Sequence, residues 1–220
     1  PDADIDQVVD GIISAMRFTR QGQSCSAGTR LYLHVDVYDE VIEKLTKKLK
    51  ELKVGNPLDE ETDMGSLINK KQFDKVYQYI EEGLKDENLE LLLGGLPPKE
   101  GPLSEGYYHI PTVFACKNEN SRLAKEEIFG PVLLVIPWED EEKVYEAANN
   151  SLYGLAAFVW TRDNKTALRA ANRIESGWIQ VNRGGAQMPG LSYGGYKQSG
   201  IGREFSLEGM LESFTQVKSI

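Results

Sequence analysis

The stretch that decides the fold runs from Val132 to Asn182, VLLVIPWEDEEKVYEAANNSLYGLAAFVWTRDNKTALRAANRIESGWIQVN. Val132 to Trp138 is a continuous apolar run, which predicts a buried strand. Glu139 to Asn150 is helical in composition, Ala156 to Thr161 is β-rich, Asn164 to Ser176 is helical up to Gly177, and Trp178 to Asn182 is again a strand. Strand, helix, strand, helix, strand demands crossover connections. The expected class is therefore α/β, a mostly parallel sheet with helices on both faces in three layers. In such sheets ligands sit beyond the carboxyl ends of the strands.

Working outward, the same pattern continues on both sides. Asp4 to about Arg20 places Ile5, Val8, Val9, Ile12, Ile13 and Met16 on one helical face, with Asp2 or Asp4 as cap. Thr29 to Val37 reads as a strand and Tyr38 to Leu52 as a helix that Val54-Gly55-Asn56-Pro57 breaks. Asn69 to Lys85 is helical, Leu89 to Leu93 reads as a short buried strand, and strand-like sequence resumes at Tyr107 to Cys116. Between them, Pro97, Pro98 and Pro102 make Gly94 to Gly106 a surface loop. Downstream come a glycine-rich loop from Arg183 to Arg203, a helix from about Ser206 to Ser213, and a strand-like end from Thr215 to Ile220.

Composition narrows the function classes. The chain has 220 residues, 40% of them hydrophobic and 27% charged, which fits a soluble globular domain. No apolar run reaches the ~20 residues of a membrane span and no targeting leader opens the sequence, so a cytoplasmic location is expected, with no membrane partner. A formal charge of -9 argues against nucleic acid, whose phosphates call for clustered Lys and Arg. Cys25, Cys116, His34 and His109 are too few and too scattered for a disulfide framework or a metal site.

Against that background four places could carry chemistry. Gln21-Gly22-Gln23-Ser24-Cys25-Ser26-Ala27-Gly28-Thr29-Arg30 sets a cysteine between small residues on a glycine-flanked turn, which presents a sulfur for attack; Arg30 could supply part of the positive field a thiolate needs. In Glu126-Glu127-Ile128-Phe129-Gly130-Pro131, a carboxylate able to accept from ribose hydroxyls stands two residues from a ring able to pack on a flat heterocycle. Gly184 to Gly202 is a long glycine loop of the kind that approaches ligands, although neither a dinucleotide fingerprint nor a Walker lysine motif is present. Gln72 and Lys75 lie three apart on one helix face.

Together these stretches resemble the NAD(P)-dependent aldehyde dehydrogenases. GQSCSAGTR (residues 22–30) is similar to that family's catalytic-cysteine motif and EIFGP (residues 127–131) to its cofactor-ribose motif, and Asn149 to Thr161, Val181-Asn182 and Gly194 to Glu204 follow in the family's order. The resemblance implies Cys25 as nucleophile with its amide in the oxyanion hole, Glu127 on the nicotinamide ribose, and Phe129 beside the nicotinamide. It further implies weaker cofactor contacts at Gln72 and Lys75. Phe18, Thr19, Gln187 and Tyr193 would line the aldehyde tunnel, where Thr19 and Gln187 replace common aromatics and favour a polar or short aliphatic aldehyde. The implied partners are NAD or NADP, a small-molecule aldehyde, and further copies of the chain in a homo-oligomer.

A full member of that family carries, ahead of the segment resembled here, a dinucleotide-binding domain, an oxyanion-hole asparagine and a glutamate general base in a Leu-Gly-Gly motif, and no glutamate in this sequence matches that motif. The sequence therefore reads as an isolated catalytic domain over residues 1–203, with residues 204–220 a helix and strand returning toward the cofactor and oligomerisation region. Such a chain is expected to bind the cofactor weakly, to turn over no aldehyde alone, and to self-associate. Two other readings stand beside it. One is a thiol hydrolase or esterase pairing Cys25 with His34 or His109; the other is a non-catalytic piece that acts by assembling with intact subunits.

Overall fold

The computed structural model describes residues 1–185 and 187–220. Its first helix, α1 (Ile5–Ala15), is capped by Asp4, whose carboxylate accepts from the Gln7 amide at 3.2 Å. The helical spacing continues to Arg20, yet the α-helix stops at Ala15. Arg17 takes φ +59, the left-handed region, and a 3-10 turn at Phe18–Arg20 follows. Strand β1 (Arg30–His34) likewise ends before Val37, because His34 Nδ1 accepts from the Asp36 amide and folds Val35–Val37 into a 3-10 turn.

The remaining elements fall close to expectation: α2 (Tyr38–Glu51), α3 (Lys70–Gly83, capped by Asn69), β2 (Leu89–Leu93), β3 (Thr112–Cys116), α4 (Arg122–Lys125), β4 (Val132–Trp138) and α5 (Glu141–Asn149). Then come the two-residue β5 (Tyr153–Gly154), β6 (Ala156–Val159), α6 (Asn164–Arg173), β7 (Trp178–Val181), the two-residue β8 (Tyr196–Lys197) and α7 (Leu207–Phe214). α4, β5 and β8 are too short to leave a periodic signal. Two expectations are corrected. β2 is an edge strand, with Glu90 and Leu91 exposed, because only β3 pairs with it. Thr215 to Ile220 forms no strand: that segment finds no ladder partner and lies exposed.

The main sheet has the order β1-β4-β3-β2, parallel except for the antiparallel β2. β4 lies at its centre, with Leu31 opposite Val135 on one side and Phe114 opposite Leu134 on the other. Its alternate residues supply two different cores. Leu133 and Val135 join Val9 and Ile12 of α1 and Leu45 of α2, while Val132, Leu134 and Ile136 join Val76 and Ile80 of α3. That is the three-layer arrangement the central run predicted. The sheet is nevertheless divided: β6 and β7 form a separate parallel pair, with Phe158 opposite Gln180, and no ladder connects β6 to β1.

Candidate active site

Cys25 is exposed on a turn stitched to the end of α1, where the Gly28 amide donates to the Ala15 carbonyl at 3.0 Å and the Ala27 amide to the Ser24 carbonyl at 3.1 Å. Its own amide has no acceptor among the described residues, which leaves an N–H free beside the sulfur. The Sγ lies 3.5 Å from the Tyr193 hydroxyl. Tyr193 comes from the glycine loop and is held by edge-on contacts to Trp178 and Phe205 and by paired backbone bonds with Glu204. Burial first, and the neighbouring Cys25 second, push its phenol above the ordinary value, so at neutral pH it stays a donor; Gln187 and Ser26 contact the same hydroxyl.

Glycines bring the two motifs together. Gly22 takes φ +64, and a Cβ there would fall 2.1 Å from the Gly130 carbonyl; a Cβ on Gly130 would in turn fall 2.4 Å from Val76 of α3. The cysteine turn therefore meets the EIFGP segment at backbone distance, and that segment in turn packs closely on the Val76 side chain of α3, both of which glycine permits. Gln23 adds a tie, accepting from the Ile68 amide at 3.1 Å just ahead of α3.

Gln72 and Lys75 are both engaged in shaping that segment. The Gln72 amide donates to the Ile128 and Phe129 carbonyls at 3.0 and 2.8 Å, and Lys75 Nζ donates to the Glu127 carbonyl at 2.7 Å. Phe129 is thereby held at φ +59, half-buried. The adjacent glutamates differ sharply: Glu126 is occupied by Tyr79 and Arg122, whereas the Glu127 carboxylate is exposed with no partner among the described residues. A free carboxylate next to a fixed ring offers an acceptor for ribose hydroxyls and a flat face for an attached heterocycle.

The other sequence candidates lie as follows. Phe18 is fully buried in the core beneath α1, Thr19 is exposed on the 3-10 turn, and Gln187 is half-buried beside Tyr193. Neither histidine bonds to Cys25: His34 Nδ1 accepts from the Asp36 amide, and buried His109 donates from Nε2 to the Phe73 carbonyl at 3.1 Å. Arg30 is also engaged elsewhere, with Tyr32, Glu119 and the carbonyls of Ala147 and Ala148.

The cation of this site is Arg17, which sequence reasoning missed. It is 8% exposed, bonds to the Gly185 and Ser14 carbonyls, has no carboxylate partner among the described residues, and interacts electrostatically with Cys25 and Tyr193. Its Nε is buried without a partner. The signal was present as a lone arginine in the apolar run Met16-Arg17-Phe18. Among the described residues no cluster of His, Cys, Asp and Glu is placed to hold a metal ion, and no helix is long and apolar enough to cross a membrane.

Residues 1–220 match the family model described as "Aldehyde dehydrogenase family". The chain belongs to the aldehyde dehydrogenase family. DhaS of Bacillus subtilis, named for that family, is 41% identical over 220 residues, which are 100% of this chain and 43% of the relative. A Staphylococcus saprophyticus relative named for the same family is 42% identical over 219 residues, 45% of its length. Among solved structures, a single-substitution variant of aldehyde dehydrogenase from Bacillus cereus superposes with TM-score 0.92 and the NAD+ complex of the B. cereus enzyme with 0.91; each is 41% identical and is covered over 43% of its length. This aldehyde dehydrogenase chain thus spans less than half the length of these relatives.

Proposed function

We propose that residues 1–203 are the cysteine-bearing catalytic domain of an NAD(P)-dependent enzyme that oxidises a small aldehyde to a carboxylic acid. The observation that carries this reading is the packing of Gly22 against Gly130, which sets an exposed nucleophile beside a free carboxylate and a fixed ring. Cys25, as thiolate, adds to the aldehyde carbon to give a thiohemiacetal, and its unoccupied N–H meets the negative oxygen. The Tyr193 hydroxyl stands 3.5 Å from the sulfur, and the buried Arg17 guanidinium interacts with both groups. Glu127 would accept from the cofactor's ribose hydroxyls, and Phe129 would pack on its heterocycle. A bound NAD or NADP supplies the hydride acceptor. Hydrolysis of the resulting thioester needs a base that activates water, and no glutamate of this sequence fits the family's motif for it. We therefore expect the 220-residue chain to acylate and stall.

Gln187 and exposed Thr19 favour a polar or short aliphatic aldehyde at the tunnel. The exposed apolar residues of α7 and the tail, Leu207, Met210, Leu211, Phe214 and Val217, support a homo-oligomer assembled through residues 204–220.

The test is acylation by p-nitrophenyl acetate, in which the thiolate displaces p-nitrophenolate and retains the acetyl group. One acetyl per chain on Cys25, none in Cys25→Ser, and release slower than formation are expected. Acetylation that persists in Cys25→Ser, or that requires His34 or His109, would overturn the reading in favour of adventitious or hydrolase chemistry.

A further inference from the structure

Five of the arginines, Arg30, Arg122, Arg162, Arg169 and Arg173, lie within ion-pair distance of a carboxylate. Arg17, Arg20 and Arg183 have no carboxylate partner among the described residues. Supply is not the reason, because acidic residues outnumber basic ones 34 to 25. The three are also drawn together. Arg17 and Arg20 act on each other electrostatically across one 3-10 turn, and Arg183 folds back over Gly185, where a Cβ would fall 3.4 Å from its Nε. The carbonyl of that same glycine accepts from the Arg17 guanidinium. A Cβ on Gly184 would fall 2.2 Å from the Gly11 carbonyl, and the Gly185 amide donates to Gln180 Oε1 at 3.0 Å, so the glycine loop is pinned on α1 with Arg17 and Arg183 both against it.

Arg17 is the costly member. It is buried, its Nε has no partner, and its guanidinium meets only the neutral carbonyls of Ser14 and Gly185. A buried cation calls for a compensating anion, and carbonyl dipoles carry no net charge. Arg17 is also tied to the reactive sulfur through its main chain: its carbonyl accepts from the Gly22 amide at 2.9 Å and from the Arg20 amide at 2.8 Å, which sets the turn that carries Cys25. Next to the sulfur stands an uncharged polar group, the Tyr193 phenol, with Gln187 and Ser26 on its hydroxyl. The site thus joins a reactive sulfur and neutral polar neighbours to an uncompensated positive charge. A planar guanidinium matches the geometry of a carboxylate.

We propose that Arg17, with Arg20 and Arg183 around it, forms an anion-selecting subsite beside Cys25, and that the aldehyde this chain accepts carries a carboxylate a few atoms from its carbonyl. The inference rests on the reading of Cys25 as nucleophile and names the substrate class within it. Glu127 and Phe129 take no part. They meet the cysteine turn through Gly22 and Gly130, whereas the arginines meet it through the end of α1 and the glycine loop.

The experiment uses the 220-residue chain and two alkylating reagents of nearly equal size, anionic iodoacetate and neutral iodoacetamide. With either, the Cys25 thiolate bonds to the CH2 carbon and iodide leaves with the electron pair of the broken C–I bond. A change in thiol ionisation alters both rates alike, so the ratio of the iodoacetate rate to the iodoacetamide rate isolates attraction for a carboxylate. Modification of Cys25 is followed by peptide mass. The ratio is expected to be about tenfold higher in the folded chain than in the same chain unfolded in urea, and to fall by about that factor in Arg17→Gln. Arg17→Lys, which keeps the charge, should retain part of the preference. Arg183→Gln alters an exposed residue and should lower the ratio about twofold at low salt and less at high salt. Lys47→Gln, an equal loss of charge on the exposed face of α2, should leave it unchanged. Equal ratios in the folded and unfolded chain, a ratio that survives Arg17→Gln, or one that falls as far in Lys47→Gln would overturn the subsite while leaving Cys25 a nucleophile. Failure of both reagents at Cys25 would overturn the underlying reading as well.

Discussion

β4 and β6 are made of the same kinds of residue and have opposite fates. VLLVIPW is buried at its first five positions, with a neighbour on each side and a helical layer on each face. AAFV, equally apolar, is only half-buried throughout, because one side pairs with β7 and the other has no ladder partner among the described residues. An apolar run states that a strand needs two neighbours and two covers. It does not state that the same chain provides them.

The largest test of that contrast is Leu133→Ala, which removes a wholly buried side chain from the centre of the better-packed half. We expect a loss of about 3 kcal/mol in urea unfolding. Gly22→Ala comes next: the residue would have to accept φ +64 and a Cβ inside contact distance of the Gly130 carbonyl, for about 1–3 kcal/mol and a displaced Cys25 turn, read as a changed alkylation rate of Cys25. Phe158→Ala should cost less, about 1 kcal/mol, mostly its edge-on pair with Trp178; a cost equal to that of Leu133→Ala would mean the two regions are packed alike and the contrast is wrong.

The smallest effect concerns pH. Burial holds His109 below its ordinary value, so on acidification the unfolded chain takes up the proton first. The stability it permits is complete above about pH 6.5 and is lost as pH falls from there through its folded value. Urea midpoints at pH 7.5 and 5.5 should therefore diverge, and His109→Gln should narrow the gap. Because His109 packs on Phe73 in the half that contains β4, an unchanged gap would place the acid sensitivity elsewhere.

The layers and most element positions were legible in the sequence, because buried periodicity is a local property of the chain. Cys25, Glu127 and Phe129, which the proposed function uses, stood out in the sequence as members of short contiguous motifs. Three things were not. The division of the sheet, with β6 paired to β7 and not to β1, is a long-range pairing that neither strand's own residues encode. Arg17 was hidden because a single arginine at a helix end reads as solvated until its φ and its contact with the distant Gly185 are known. The contacts of Gln72 and Lys75 with the Glu127–Phe129 backbone required the fold, since 50 or more residues separate the partners.

Cys116 is buried, its thiol donating to the Asn118 carbonyl at 2.9 Å and its ionisation pushed up by burial, while Cys25 stands open. With one reachable sulfur per molecule, air oxidation can couple chains only in pairs. On a non-reducing gel, an aged sample should show a band of twice the chain's mass and no ladder above it, and the paired material will have used up the nucleophile.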